Sequence, residues 1–69
     1  MKISARNQLK GKVAKIEEGA VNGVVFIEIG GGNTISSVVT MDSIKRLGLE
    51  VGSEAYAIIK ASSVMVAVD

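Results

Sequence analysis

The run at residues 24–29 is apolar on both of the faces that an extended strand presents. Side chains alternate along a strand, so Val25 and Ile27 share one face while Val24 and Phe26 share the other. A strand with this pattern has to be covered on both sides. The chain has only 69 residues, which is close to the lower size limit for a self-sufficient core. We therefore expect another copy of the chain to supply one of the covers.

Strands are predicted for most of the remaining chain. Val and Ile together number eighteen against three Leu, a balance that favours strands over helices. The predicted strands cover residues 7–16, 24–29, 34–39, 55–60 and 64–68. Gly30-Gly31-Gly32-Asn33 separates the second strand from the third and predicts a hairpin turn. Gly11 lies within the first strand and predicts a bulge or sharp bend there.

One short helix is predicted between the third and fourth strands. Thr40 is its expected N-cap and Gly48 its expected C-terminal cap. The apolar residues between them are three apart and are expected to face the sheet; they are Met41, Ile44 and Leu47. The order β-β-β-α-β-β predicts an all-β fold with one short helix, a small OB-like Greek-key barrel, in a single domain over residues 1–69.

Composition excludes several classes of function. The chain has no Cys and no His, so disulfides and the usual transition-metal sites are excluded. General acid–base catalysis would have to rely on carboxylates or lysines, and no pair of carboxylates stands out as a dyad. We therefore expect a protein that is not an enzyme and that uses no metal ion and no cofactor.

Charge and hydropathy restrict the partners. The net charge is +1 and the aromatic residues are only Phe26 and Tyr56, so the chain offers neither a basic face nor a stacking platform for nucleic acid. No apolar run approaches the ~20 residues of a membrane span, and the N-terminus lacks the apolar region of a signal peptide. We expect a cytoplasmic protein. Its hydrophobic content of 48% is more than a lone small domain can bury, which favours an oligomer.

Two segments are rich in hydrogen-bond donors and contain no carboxylate. Residues 4–11 read Ser-Ala-Arg-Asn-Gln-Leu-Lys-Gly, and Lys60-Ala61-Ser62-Ser63 follows the fourth predicted strand. Charged donors such as Arg6 make the stronger hydrogen bonds to an oxyanion, and free backbone amides add partial positive charge. Either segment alone is also what a solvated polar chain end looks like. Together they indicate one anion site, within a chain or across a subunit boundary.

The order of these residues resembles the molbindin family, the Mop-type molybdate-binding domain. Residues 4–11 match the opening signature of that family. Further similarity lies in Gly19-Ala20-Val21-Asn22, Val39-Thr40, Ile44-Lys45-Arg46-Leu47-Gly48-Leu49 and Ile59-Lys60-Ala61-Ser62. The resemblance covers nearly the whole chain.

This resemblance implies an OB-like barrel that assembles as a hexamer, a trimer of dimers. It implies binding of molybdate or tungstate at subunit interfaces, for intracellular molybdenum storage or homeostasis. The principal site it implies consists of Ser4, Ala5 and Arg6 of one subunit with Thr40, Lys60, Ala61 and Ser62 of another. A second class of site, near the three-fold axis, is implied at Ala20, Val21, Asn22, Ser36 and Ser37. Molybdate presents only acceptors, so a site made of donors suits it.

Two other functions remain open from the residues. The first is an OB-type nucleic-acid-binding module, against which the low aromatic content and small net charge count. The second is a purely structural oligomer whose polar segments are only solvated ends. A direct measurement of anion binding separates the three possibilities.

Overall fold

The computed structural model describes all 69 residues, and the chain forms one antiparallel sheet curled into a half-barrel. Its elements are β1 (Asn7–Glu17), β2 (Asn22–Gly30), β3 (Asn33–Thr40), the helix α1 (Met41–Arg46), β4 (Glu54–Ile59) and a 3₁₀ turn (Ala61–Ser63). The strand order is β3-β2-β1-β4, so β3 and β4 are the two free edges of the sheet. The prediction of an all-β fold with one short helix is confirmed.

The strand β1 curls the sheet because it pairs with two neighbours in succession. Its N-terminal half pairs with β4 and its C-terminal half with β2, and the two ladders overlap at Lys12. The register with β2 shifts between Val13 and Lys15, so Ala14 is the bulged residue. The extra residue at the bulge lets side chains on both sides of it face the core. Val13 before the bulge is 1% exposed, and Ile16 after it packs against the core.

Gly11 has a different role from the bulge that the sequence suggested, since the bulge lies at Ala14. A Cβ atom at Gly11 would overlap the backbone carbonyl oxygen of Glu28 and would lie 2.9 Å from Cγ2 of Ile27. Glycine is therefore needed at this position because the backbones of β1 and β2 approach closely where β1 changes partner.

Glycines with positive φ lie at the end of β2 and after the helix α1, as the sequence predicts. Gly30, Gly31 and Gly32 have φ values of +103°, +62° and +78°, a region that only glycine enters freely. They form the hairpin between β2 and β3, in which Gly30 pairs with Asn33. Gly48, with φ of +65°, follows α1 as its predicted C-terminal cap.

The helix α1 begins as predicted and contributes less to the core than predicted. Oγ1 of Thr40 accepts a hydrogen bond from the Ser43 amide at 3.0 Å, which confirms the N-cap. Ile44 is 6% exposed and Met41 packs against the core. Leu47, however, is 65% exposed, because the helix ends one residue before it. No helix of the chain has the length and apolar character to cross a membrane.

The hydrophobic core is small. It consists of Val13, Val25, Ile27, Ile44 and Ala57. The opposite face of β2 is covered only in part: Val24 and Phe26 are half-buried, and the ammonium nitrogen of Lys15 lies 5.6 Å from the Phe26 ring centroid. A single chain therefore covers one face of β2 fully and leaves the other partly open to solvent.

The fifth predicted strand is not formed. Residues 64–68 follow the 3₁₀ turn without pairing with any strand, and Met65, Val66 and Val68 are 93%, 90% and 92% exposed. The prediction was wrong for a single chain because an apolar segment of this kind becomes a strand only beside a free edge. The segment reaches neither β3 nor β4.

Candidate anion-binding site

The two donor-rich segments meet at one end of the β1–β4 ladder. The last pair of that ladder is Asn7 with Ile59, and Arg6 and Lys60 are the next residues of the chain beyond this end. The two segments line one polar cavity of about 580 Å³. Its lining residues are Ile3, Ser4, Ala5, Arg6, Ile58, Lys60, Ala61 and Ser62. We call this space the polar cavity.

The charges around the polar cavity are all positive. Arg6 and Lys60 line it, and no carboxylate does. The ion pairs of the chain lie elsewhere: Lys10 with Glu54 at 3.7 Å, and a second pair on β1. Arg6 and Lys60 carry the same charge at one cavity, so a bound anion would be attracted to both of them.

Backbone donors complete the polar cavity on the β4 side. In the 3₁₀ turn the amides of Ser63 and Val64 donate to the carbonyls of Lys60 and Ala61, at 2.8 and 3.3 Å. The amides of Ala61 and Ser62 donate to no acceptor in this turn, so they remain available to a ligand. Beside the apolar residues Ile3 and Ile58, the cavity therefore offers two hydroxyls, two cations and these amides, all of which can donate to an oxyanion.

One residue beside the cavity was missed as a site residue by the sequence reasoning. The side-chain Nε2 of Gln8 donates a hydrogen bond to the Ala5 carbonyl oxygen at 2.6 Å. The signal was present, because Gln8 belongs to the donor-rich segment and follows Ala5 by three residues. Spacing alone does not show that the amide turns back onto the chain.

The structure groups the principal-site residues differently from the arrangement expected of two subunits. Ser4, Ala5 and Arg6 were assigned to one subunit and Lys60, Ala61 and Ser62 to another, yet both groups line one cavity of the same chain. The antiparallel pairing of β1 with β4 brings them together. Thr40 lies apart from them, at the end of β3, which is the opposite edge of the sheet. Its hydroxyl donates a hydrogen bond to Oγ of Ser43 at 2.8 Å.

The residues expected at a second site lie apart within one chain. Asn22 pairs with Thr40, whereas Ser36 and Ser37 pair with Phe26 and Val25 further along the β2–β3 ladder. Three to four residues of strand separate the two groups, about 10–13 Å. Ala20 and Val21 precede Asn22 and are exposed. A site that used both groups would therefore have to combine different chains.

An apolar cavity of about 380 Å³ lies inside the open half-barrel. It is lined by Met1, Val25, Ile27, Ser37, Val39, Leu47, Leu49, Glu54, Ala55, Tyr56 and Ile58. Ile58 also lines the polar cavity, so the two spaces are adjacent. No group of three or more His, Cys, Asp or Glu side chains is placed to hold a metal ion.

Comparison with known proteins gives consistent matches over nearly the whole chain. A family model described as the TOBE domain matches residues 3–66. The chain is 68% identical over 69 residues to a probable molybdenum-pterin-binding protein of Haemophilus influenzae, and the match covers 100% of both chains.

Solved structures give matches of the same quality. The fold is similar to MopII from Clostridium pasteurianum, with a TM-score of 0.90 and 46% identity over 97% of this chain and 100% of that one. It is also similar to the cytoplasmic molybdate-binding protein ModG in a form with molybdate bound. That match has a TM-score of 0.90 and 48% identity over 94% of this chain and 46% of that one.

Proposed function

Since this chain belongs to the TOBE-domain family and, within it, to the Mop-type molbindins, we propose that it binds molybdate in the polar cavity. The cavity is lined by the hydroxyls of Ser4 and Ser62 and by Arg6 and Lys60, and by no carboxylate. Such groups bind and orient an anion but offer no general base at neutral pH. The proposed role is therefore binding and not catalysis, and molybdate is a ligand and not a cofactor of a reaction.

The observation that carries this proposal is the placement of Arg6 and Lys60. Both side chains line one cavity, and neither belongs to either of the ion pairs in the chain. Two cations at one cavity attract a dianion, and neither has a carboxylate partner that would compete with it. Hydrogen bonds between charged partners are roughly twice as strong as neutral ones.

Molybdate fits the donor set for a further reason. It is a tetrahedral dianion whose oxygens only accept hydrogen bonds, so a cavity of donors compensates the hydration that it loses. Sulfate has the same charge and shape but is smaller, so a rigid site sized for molybdate leaves some donors unpaired around it. Tungstate has nearly the size of molybdate, and we propose it as an alternative ligand.

The complete site is proposed to combine two chains. One chain supplies Ser4, Ala5, Arg6, Lys60, Ala61 and Ser62, and Thr40 comes from a neighbour. This grouping follows from the position of Thr40 on the far edge of the sheet. The second class of site, at Ala20 to Asn22 with Ser36 and Ser37, is proposed to form between chains, since one chain keeps these groups apart.

Apolar exposure supports assembly into an oligomer, which we propose to be a hexamer built as a trimer of dimers. Only six of the 69 residues are buried, which is too few for a stable isolated domain of this hydrophobicity. Val38 on the outer face of β3 is 70% exposed, and the residues 64–68 are largely uncovered. We propose that residues 64–68 pack against a neighbouring copy.

The proposed biological role is a cytoplasmic store of molybdate. The similar protein ModG is a cytoplasmic molybdate-binding protein, which supports this location. A binding site without catalytic groups suits storage and homeostasis.

Isothermal titration calorimetry tests the proposed function. Molybdate and tungstate are each titrated into the protein at fixed ionic strength, with sulfate, phosphate and a single-stranded oligonucleotide in parallel cells. We expect saturable heats for the first two ions and much weaker binding of the others. Equal affinity for all four anions would show general attraction to the cations, and binding of the oligonucleotide alone would favour a nucleic-acid module.

Sedimentation tests the proposed assembly. The intact chain and a chain truncated after Ser63 are compared at low micromolar concentration. We expect a defined oligomer for the intact chain and a smaller species for the truncated one, because the exposed apolar segment is removed. A monomer of 7.2 kDa that unfolds cooperatively in the intact protein would contradict the proposed oligomer.

A further inference from the structure

Gln8 does not line the polar cavity but contacts a residue that does. Its Nε2 donates to the Ala5 carbonyl oxygen at 2.6 Å. No other hydrogen bond reaches residues 1–6, whether from the backbone or from side chains. Because β1 begins at Asn7, the segment that carries Ser4 and Arg6 is tied to the sheet by this single hydrogen bond.

Gln8 belongs to the paired strand β1, whereas Ala5, to which it donates, precedes that strand. It lies directly opposite Ile58 in the β1–β4 ladder, and side chains of directly opposite residues project on the same face. Ile58 lines the polar cavity, so Gln8 stands on the face of the sheet that carries the cavity. Arg6 precedes Gln8 by two residues and lies just outside β1.

The hydrogen bond also occupies the carbonyl oxygen of a residue that lines the cavity. Ala5 lines the polar cavity, and its carbonyl oxygen accepts a hydrogen bond from Gln8. The Gln8 amide occupies that oxygen with a neutral donor and adds no charge. A lysine in the same place would add a third cation, and a glutamate would add a second acceptor.

We propose that Gln8 is a positioning residue that sets the selectivity of this site for the larger tetrahedral oxyanion. The inference rests on the proposed function, because it concerns the same cavity. A fixed loop holds the donors of Ser4 and Arg6 at the separation that molybdate fills. A loosened loop closes on the smaller sulfate as well as on molybdate, and the difference in affinity between the two ions is lost.

The substitution Gln8→Met tests this inference because it keeps the length of the side chain and removes its donor. Calorimetry should give a molybdate Kd that is about 3- to 10-fold weaker, the change expected for one neutral hydrogen bond. The sulfate Kd should change less, so the ratio of the two Kd values should fall. The matched control is Thr34→Val, an exposed neutral residue on β3, which should leave both Kd values unchanged.

The measured ratio separates positioning from simple stabilisation. Equal weakening of molybdate and sulfate, together with a lower melting temperature, would assign Gln8 a purely structural role and overturn the inference. An unchanged ratio in a folded variant would overturn it as well, while molybdate binding by the wild-type protein leaves the proposed function standing. Failure of the wild-type protein to bind any oxyanion would instead overturn the proposed function itself.

A second variant decides the matter if Gln8→Met does not fold. Gln8→Glu keeps the shape of the side chain but replaces the amide with a carboxylate, which accepts hydrogen bonds and cannot donate one when ionised. Its affinity for molybdate should fall further than that of Gln8→Met, to a Kd about 10-fold or more weaker than that of the wild-type protein, because the carboxylate also repels the anion. Wild-type affinity in Gln8→Glu would overturn the inference.

Discussion

Replacing Arg6 with alanine should have opposite effects on the free protein and on the complex. Arg6 makes no ion pair and lines the same cavity as Lys60. Its removal from the free protein therefore eliminates a repulsion and breaks no stabilising contact. Surface changes of this kind are usually within about 0.5 kcal/mol, which is a shift of at most about 4 °C in a domain of this size. We expect the free variant to melt at the wild-type temperature or slightly above it.

The complex should lose stability in the same variant. One charged hydrogen bond contributes about 1.5–3 kcal/mol, so the molybdate Kd should become about 10- to 150-fold weaker. At a ligand concentration of about 100 times the wild-type Kd, binding stabilises the wild-type protein by about 2.7 kcal/mol. A variant with about 30-fold weaker binding gains only about 0.9 kcal/mol at that concentration. The order of the two melting temperatures should therefore reverse when molybdate is added.

Differential scanning calorimetry with and without molybdate measures both quantities, and titration calorimetry gives the Kd. The matched control is Lys2→Ala, which removes the same charge from the same segment, outside the lining of the polar cavity. Lys2→Ala should bind molybdate nearly as the wild-type protein does. If both variants lose affinity equally, the effect is general electrostatic attraction. If Arg6→Ala binds normally, Arg6 is not a ligand.

Substitutions at Gly11, Gly23 and Thr40 test the fold and the role of Thr40. Gly11→Ala should lower stability by about 2 kcal/mol and the melting temperature by about 8–16 °C, because the new methyl group meets the Glu28 carbonyl. Gly23→Ala should cost less, since two of its close contacts, at 2.9 Å, are the ends of flexible side chains; equal losses would contradict the steric explanation. Thr40→Val should lower stability by about 1 kcal/mol through loss of the cap to Ser43. Thr40→Ser should retain both the cap and molybdate affinity, and a loss of affinity in both variants at unchanged stability would contradict the cap.

Local features of this protein followed directly from the sequence. The apolar run at residues 24–29 specified β2, glycines specified the hairpin at Gly30 to Gly32, and the Thr40 hydroxyl specified the start of α1. These features depend on neighbours a few residues apart, whose interactions are the same in many tertiary settings. The donor-rich and carboxylate-free character of residues 4–11 and 60–63 is also a property of residue types alone.

Pairing between distant segments was decided only by the tertiary structure. The β1–β4 register places Arg6 and Lys60 in one cavity of one chain, although more than fifty residues separate them in the sequence. The register depends on how β1 is shared between β2 and β4, and therefore on the close approach at Gly11 and the bulge at Ala14. No local sequence pattern specifies which part of β1 pairs with β2 and which part pairs with β4.

The C-terminal segment and Gln8 both show that residue type alone does not determine which partner a group contacts. Residues 64–68 have the apolar composition of a strand, but a strand also needs an edge, and edges exist only once the other strands have paired. The side chain of Gln8 is of a type that can bind an anion, but its amide already donates a hydrogen bond to the Ala5 carbonyl oxygen. Residue type determines what a group can bind, whereas the geometry of the folded chain determines which partner is within reach.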